Sequence, residues 1–574
     1  MVRCVGLDSH LEHGTNADPG QDADNNARGG YTNAVIDPST KVSGSGSLHF
    51  IVPAIANADT SGSAHFNFSP DLTTSFGEGQ EFYVQWRQRM DENYLSNAYL
   101  QGASCPPADG TPRTAVADCP GDSINGGMKQ IIIAPQDTDA GPTQFGKHYS
   151  CETPHLVITL QYNQMPIMYH SCSFYQGFSP AYVPPRASFP SYLSQSGVPC
   201  PYAPYAMVNG KVKAAPDPCV KYVANEWMTL QLHVKVGHWH TTGDNNMKRD
   251  SMVELWIARE NQPSVLAQSM VFYALRNNAQ DTSANQPGAP YKYGKVWLLP
   301  YNTGRDPNAG PYPVANIWYD DVIVSTARVP DPGVAIQPPT NLTADASAYP
   351  QVTLSWTREP AHFKGVFAET GFEIERCPGQ IYDCIAGSLA GLSWSKLATV
   401  TTGVTTYIDK APAGQIFTYR VRATDGSTYS AYSSPVGNVP MPPSNLTVKS
   451  TPSGALRLEW LDNSESETQF AIERCEGIFQ YFRQNGLAGQ QFDSASCLDA
   501  PLESGGKETI PFKEIDRIPG LQGANNVASY EDTTVTPGKA YTYRVRALNP
   551  AGSVRLWNSN RTAYTGNIGL PAAR

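Results

Sequence analysis

The sequence predicts an all-β protein made of several sandwiches. Short apolar runs alternate with polar residues along the whole chain, and no helical period extends over a comparable length. Tyrosine is frequent, with 30 copies, whereas charged residues make up only 16% of the chain, and this balance is typical of strands joined by long loops. Because 574 residues are too many for one core, we expect three domains.

The first unit, residues 1–330, contains strands with one apolar and one mixed polar face. WMTLQLHVKV and EFYVQWRQRM both alternate in this way. Their polar positions, with two residues of neighbouring predicted strands, are Gln85, Arg87, Arg89, Lys129, Gln231, His233, Lys235 and Trp256. Such a face suits a sugar chain, since aromatic rings stack on pyranoses and planar donors bind hydroxyls and carboxylates. A solvated outer sheet face shows the same alternation, so both interpretations stay open.

Eleven cysteines without a C-x-x-C pair favour disulfides over a zinc site. Local pairs that would close polar loops are Cys105 with Cys119, Cys200 with Cys219, Cys377 with Cys384, and Cys475 with Cys497. Cys151 and Cys172 then form a fifth pair, and Cys4 is left reduced or bonded to another molecule. The connectivity stays open at this point, but cysteine usage predicts an oxidising, extracellular location.

Charge and missing motifs exclude several functions. The net charge of −10 argues against a nucleic-acid partner, because phosphate neutralisation needs a basic surface. The start MVRCVGLDSHLEHG has no apolar core and no later run reaches 18 apolar residues, so we expect neither signal peptide nor membrane span in a processed, secreted protein. Nucleotide-binding loops and serine-hydrolase elbows do not occur in the sequence.

Two Pro-rich linkers, at residues 327–339 and 439–443, separate the first unit from residues 338–440 and 441–574. The last two units repeat one pattern, since GFEIERC corresponds to QFAIERC and FTYRVRA corresponds to YTYRVRA. This pattern resembles fibronectin type III modules. The resemblance implies that Trp356 and Trp460 are the buried strand-B tryptophans and that Tyr541 is the tyrosine-corner residue. Phe417 takes that place in the first copy and should pack without the corner hydrogen bond.

The strands of the first unit, ending in IWYDDVIVSTARVPDP, resemble the concanavalin-like jelly rolls of secreted polysaccharide lyases and of laminarinase-type or lectin-like domains. The resemblance covers about residues 30–330 and implies a sheet that binds extracellular polysaccharide. In the lyases, uronate polymers are cleaved by β-elimination, which needs a carboxylate neutraliser, a base and an acid. The candidates are Arg87 or Gln130 as neutraliser, His170 or His233 as base, and Tyr162 or Tyr169 as acid.

Within QYNQMPIMYHSC, strand alternation puts Tyr169 and His170 on opposite faces, so only one of them can serve a shared site. The resemblance also nominates one structural calcium, held by Asp8 or Asp24 together with Asp321. WRQRM and KQIII stand nearest to the R-x-E-L-R and Q-I-H motifs of alginate-lyase-type jelly rolls, but lack the glutamate and the histidine.

Catalysis therefore stays open. The alternative is a non-catalytic structural subunit of a surface layer or filament, or an adhesin, that self-associates through Cys4 or exposed strand edges.

Overall fold

A computed structural model describes much of the chain. The described residues are 2–7, 34–52, 64–96, 127–136, 156–160, 166–170, 192–193, 199–200, 206–208, 211–213, 222–237, 239, 251–273, 275, 292–303, 313–348, 350–358, 369–381, 384, 392–412, 415–440, 443–464, 466–476, 478–479, 496–497, 509–510, 512–521, 526–539, 541–553, 555–556, 561–562 and 565–569.

The protein is all-β, as predicted, with a short helix α1 (Glu92–Ser96) in the first unit. The strands of that unit are β1 (Arg3–Val5), β2 (Val35–Asp37), β3 (Ser47–Val52), β4 (Ala64–Asn67), β5 (Glu81–Met90), β6 (Gly127–Pro135), β7 (Leu156–Leu160), β8 (Pro166–His170), β9 (Tyr192–Leu193), β10 (Pro199–Cys200), β11 (Ala206–Val208), β12 (Lys211–Lys213), β13 (Met228–Lys235), β14 (Ser251–Ala258), β15 (Val265–Tyr273), β16 (Tyr293–Thr303) and β17 (Ala315–Ser325).

Two antiparallel sheets form an N-terminal sandwich, while β9 with β10 and β11 with β12 form separate two-stranded sheets. The large sheet has eight strands in the order β15-β14-β13-β5-β17-β3-β2, with β1 paired to β17, and the small sheet has five in the order β4-β16-β6-β7-β8. Alternate side chains of both sheets meet in one core, as Trp86 and Leu230 do from the large sheet and Ile131 and Val296 from the small sheet. The opposite faces of the two sheets are therefore the places where a site can lie.

The two C-terminal modules are sandwiches of the predicted kind. The first comprises β18 (Thr340–Asp345), β19 (Gln351–Thr357), β20 (Gly371–Cys377), β21 (Ser395–Thr401), β22 (Thr406–Lys410), β23 (Thr418–Thr424), β24 (Tyr429–Tyr432) and β25 (Val436–Gly437). The second comprises β26 (Ser444–Ser450), β27 (Leu456–Leu461), β28 (Gln469–Glu476), β29 (Ile478–Phe479), β30 (Ser496–Cys497), β31 (Thr509–Ile510), β32 (Lys513–Pro519), β33 (Val527–Asp532), β34 (Tyr541–Leu548), β35 (Arg555–Leu556), β36 (Arg561–Thr562) and β37 (Thr565–Gly569).

Each module packs a three-stranded sheet, β18-β19-β22 or β26-β27-β33, against a second sheet that contains β20-β23 or β28-β34. Trp356 and Trp460 lie in the two cores, as predicted. The Tyr541 hydroxyl accepts a hydrogen bond from the Thr536 amide at 2.9 Å, whereas Phe417 is buried without such a bond. The predicted difference between the copies is therefore confirmed.

The disulfide between Cys377 and Cys384 is confirmed. Cys475 is also disulfide-bonded, and its predicted partner Cys497 lies in β30. Cys4 carries an exposed thiol. The other predicted pairs involve Cys105, Cys119, Cys151, Cys172 and Cys219, which lie outside the described residues, and Cys200 in β10; these pairs and the domain limits stay predictions. In the described part of the chain, no helix has the length and apolar character needed to cross a bilayer.

Candidate functional site

The outer face of the large sheet is covered by the chain itself. This surface, which we call the linker face, presents Gln85, Gln231, His233 and Trp256. The Gln231 amide donates to the Val329 carbonyl at 2.9 Å and its oxygen accepts from the Val329 amide at 2.8 Å. Gln85 donates to the carbonyl of Pro330 at 3.1 Å, and both glutamines are only 2% exposed. Their amide groups are thus engaged by the backbone of the first linker.

The first module completes this cover. The Arg328 guanidinium stacks on Trp256, 4.1 Å from the ring centroid, and donates to the Tyr432 carbonyl at 3.3 Å. Trp256, Leu266 and Ala431 form a small apolar cluster across the two domains. Trp256 therefore contributes to an interdomain contact and is 3% exposed.

His233 is buried between two glutamates on the linker face. Its Nε2 is 2.7 Å from Glu81 Oε1 and its Nδ1 is 3.1 Å from Glu254 Oε2, while its ring stacks on Tyr83. Ser434 of the first module donates to the same Glu254 oxygen at 2.7 Å. Burial opposes the charge on His233, but the hydrogen bonds to Glu254 and Glu81 outweigh it and raise the pKa of the imidazole. The geometry favours an imidazolium that joins the two domains.

Arg87 and Arg89 lie on β5, the strand that pairs with β17. Arg87 lies opposite Asp320 in the sheet and is 6% exposed, and burial lowers its pKa. The Arg89 guanidinium is 5.9 Å from the ring centroid of Trp318. Lys235 is exposed at the end of β13. The structure therefore brings these predicted residues together on one sheet face, and their predicted roles in binding or catalysis stay predictions.

Of the residues predicted to bind calcium, Asp321 lies in the described part of the chain. Its carboxylate accepts from the Ser43 hydroxyl at 2.6 Å, and its neighbour Asp320 accepts from the Val42 amide at 2.8 Å. Burial raises the pKa of Asp320 to about 6. Among the described residues there is no group of three acidic, histidine or cysteine side chains that could hold a metal. Asp8 and Asp24 lie outside the described residues, so the calcium site stays a prediction.

A β-bulge decides where Gln130 lies. The register of β6 against β7 shifts between Lys129 and Ile131, so one extra residue is accommodated there. Gln130 turns into the core, where its oxygen accepts from Gln88 at 2.9 Å and from the Tyr222 hydroxyl at 2.8 Å. It is fully buried between the sheets, away from any surface on which a polymer could lie.

The outer face of the small sheet carries a second polar and aromatic set. This surface, which we call the lysine face, presents His65, Asn67, Lys129, Lys295 and Trp297. Trp297 lies opposite His65 and Lys295 opposite Asn67 in the ladder of β16 and β4. Trp297 packs with Ile132, Ala134 and Val157 in a cluster separate from the main core. Lys295 and Trp297 are each 4% exposed, whereas Lys129 is half-buried.

Strand register distinguishes the two candidates in β8. Tyr169 pairs with Val157, so it belongs to the cross-strand row that runs from His65 through Trp297. His170 pairs with Leu156, a residue of the main core. Backbone register therefore favours Tyr169 over His170 for the lysine face. Tyr162 lies outside the described residues.

The lysine face has the groups that an acidic sugar requires. An ammonium group neutralises a uronate carboxylate, an indole ring stacks on a pyranose, and a tyrosine hydroxyl can transfer a proton. Sequence reasoning missed His65, Asn67, Lys295 and Trp297. The signal was present, because both AHFN and KVW alternate polar or aromatic residues with the core residues Phe66 and Val296.

No family model matches the chain, and no curated protein matches it. Solved structures similar to the chain include two lyases and a fibronectin type III segment. An alginate lyase from Aplysia kurodai is 10% identical, with a TM-score of 0.32, covering 57% of this chain and 99% of its own. A glucuronan lyase from the fungus Trichoderma reesei is 10% identical, with a TM-score of 0.27, covering 51% and 87%. A two-domain fibronectin type III segment of chicken tenascin is 11% identical, with a TM-score of 0.16, covering 41% and 99%.

Proposed function

We propose that this is a secreted protein that binds uronate-containing polysaccharide along the lysine face and cleaves it by β-elimination. The observation that carries the proposal is the placement of Lys129, Lys295 and Trp297 on one outer sheet face, with Trp297 in the same cross-strand row as Tyr169. The similar fold of an alginate lyase and a glucuronan lyase names the polymers to try first. The disulfides at Cys377 and Cys475 support an oxidising, extracellular location.

Lys129 and Tyr169 are the pair best placed for chemistry. They lie on β6 and β8, which are two strand spacings or about 10 Å apart, and they are two residues apart along the strands, since Lys129 pairs with Thr159 and Tyr169 with Val157. The two backbone positions therefore flank one place on the small sheet. His65 stands at the far end of the row, four spacings or about 19 Å from Tyr169. It therefore belongs to a different subsite.

In the proposed reaction, Lys129 neutralises the uronate carboxylate and so acidifies the proton on C5. The Tyr169 oxygen, as phenolate, takes that proton, the C4–C5 double bond forms, and the C4–O bond breaks. The same hydroxyl then returns the proton to the leaving oxygen. Trp297, buried against Ile132, Ala134 and Val157, supports the strands beneath the polymer.

The test is incubation with alginate, glucuronan and a heparin-like polymer while following the ultraviolet absorbance of unsaturated uronate. We expect product from at least one polymer, loss of turnover with retained binding for Tyr169→Phe, and loss of both for Lys129→Ala. Lys235→Ala, on the other sheet, is the matched control and should change neither. No product from any polymer, together with unchanged binding by Lys129→Ala, contradicts the proposal.

A structural subunit or adhesin is the second candidate, and the exposed Cys4 thiol is the observation that favours it. A disulfide between two Cys4 residues would join two copies. Sizing of the oxidised and reduced protein at micromolar concentration tests this, with Cys4→Ser as the control. A monomer under both conditions contradicts it.

A further inference from the structure

The two modules place opposite charges at one equivalent position. Arg358 follows Trp356 by two residues in the first module, and Asp462 follows Trp460 by two in the second. In both copies a glutamate stands three residues before the strand phenylalanine, Glu369 in one and Glu467 in the other. Arg358 and Glu369 form an ion pair. The second module therefore has a carboxylate where its duplicate has a cation.

The resulting acidic pair is buried. Asp462 is fully buried and Glu467 is 7% exposed. Asp462 Oδ2 and both carboxylate oxygens of Glu467 accept no hydrogen bond from an N–H or hydroxyl group of good geometry, and the two carboxyl groups lie within hydrogen-bonding reach of each other. The other oxygen of Asp462 accepts from the Ser464 amide at 3.1 Å. Two buried carboxyl groups thus face each other, an arrangement that is costly unless a proton or a cation sits between them.

Neighbouring backbone holds the two carboxylates in place. The Asp462 amide donates to the Asn526 carbonyl at 2.9 Å, and Gly520 packs so closely on Glu467 that a Cβ there would lie 2.8 Å from the Glu467 carbonyl oxygen. Burial, followed by the influence of Asp462, raises the pKa of Glu467 to about 8. At neutral pH the pair therefore holds a proton, which a bound cation would displace.

We propose that Asp462 and Glu467 bind a divalent, oxygen-preferring cation, which takes the place that the Arg358 guanidinium has in the first module. Carboxylate oxygens are the ligands that Ca²⁺ and Mg²⁺ prefer, and the pair supplies up to four. The site lies in the second module, and it is independent of the proposed glycan function.

The test is titration of the EDTA-treated full-length protein with Ca²⁺ and Mg²⁺, followed by calorimetry and by thermal unfolding. We expect saturable binding that raises the unfolding temperature, and at least tenfold weaker binding for Asp462→Asn and for Glu467→Gln. Glu531→Gln, which changes an exposed carboxylate on β33, should retain this binding.

The decisive variant is Asp462→Arg, which gives the second module the pair of the first. We expect this variant to unfold at a high temperature in EDTA and to gain nothing from added cation, because the arginine replaces it. Its folding also keeps the proposal testable if Asp462→Asn is unstable. The proposal would be overturned if neither cation bound to the original protein in calorimetry or changed its unfolding temperature, and if the pair instead shared a single proton.

Discussion

The two outer faces of the N-terminal sandwich have similar compositions and different partners. Each carries a tryptophan, a histidine and amide or basic side chains on strands that alternate with the core. On the linker face, Gln231 and Trp256 contact residues 328–331 and the first module. On the lysine face, Trp297 packs with residues of its own sheet, and Lys129 is half-buried beside it. Chain connectivity explains this difference, because the residues that follow β17 cross the linker face and contact it.

A pair of tryptophan substitutions should distinguish the two faces most strongly. Trp297→Ala and Trp256→Ala each remove a buried indole and should cost about 3 kcal/mol of unfolding free energy. We expect Trp297→Ala to abolish glycan binding and leave the domains docked, and Trp256→Ala to do the reverse. Glycan affinity gels report the first effect, and the rate of tryptic cleavage after Arg328 reports the second. A shared phenotype would show that the two faces are not independent.

Removing the buried acid on the linker face should have the next largest effect. Glu254→Gln leaves His233 with one carboxylate and weakens its buried hydrogen bonds, at a cost of about 2 kcal/mol in domain docking. Tryptic cleavage after Arg328 should accelerate, while glycan binding stays unchanged. Unaltered cleavage would contradict the assignment of Glu254 to the interdomain contact.

The same contact should depend on pH. The groups facing His233 are Glu81, Glu254, Tyr83 and, through Trp256, Arg328. Because the folded pKa of His233 is raised above 6.5, its contribution is full below that pH and is lost as pH rises through the folded pKa. The pKa of Glu254 is lowered from 4.5, so its contribution is full above that value. Docking should be strongest between about pH 4.5 and 6.5, and His233→Gln should flatten the alkaline limb.

Charge neutralisation on the lysine face predicts a smaller, selective effect. Lys129→Met keeps the aliphatic stem and removes the ammonium, so affinity for uronate polymers should fall about tenfold, or about 1.4 kcal/mol. Affinity for neutral glucans should not change. Equal losses on both polymers would show that Lys129 contributes packing, and affinity electrophoresis with the two polymer classes distinguishes these outcomes.

The smallest effect is expected at the stacked cation of the linker face. Arg328→Lys keeps the charge but replaces the planar group over Trp256, and should weaken docking by about 0.5–1 kcal/mol. Lysine also preserves a tryptic site, so the cleavage rates are comparable. Arg89→Lys, which lies over Trp318 away from the linker, is the matched control.

The modules were predictable from sequence because their signals are local and repeated. Phe417 and Tyr541 differ by one hydroxyl at one place in the motif, and the structure has the corner bond in one copy only. The partner of the linker face was not predictable, since Gln231 meets Val329 at a separation of 98 residues. Gln130 points inward because of a bulge, which shifts alternation by one residue and leaves no mark in composition. Hydrophobic periodicity identifies the outward face of a strand, but the residues that cover this face are distant in sequence.

The position of β17 has a mechanical consequence. This strand leads directly into the first linker, and it lies inside the large sheet between β5 and β3, with β1 paired to it as well. A pulling force on the modules is therefore delivered to an interior strand, whose flanking ladders share the load in shear. The paired hydrogen bonds of Gln231 to Val329 stand in the same load path. An edge strand would instead peel away one bond at a time, so this attachment resists separation of the modules from the N-terminal sandwich.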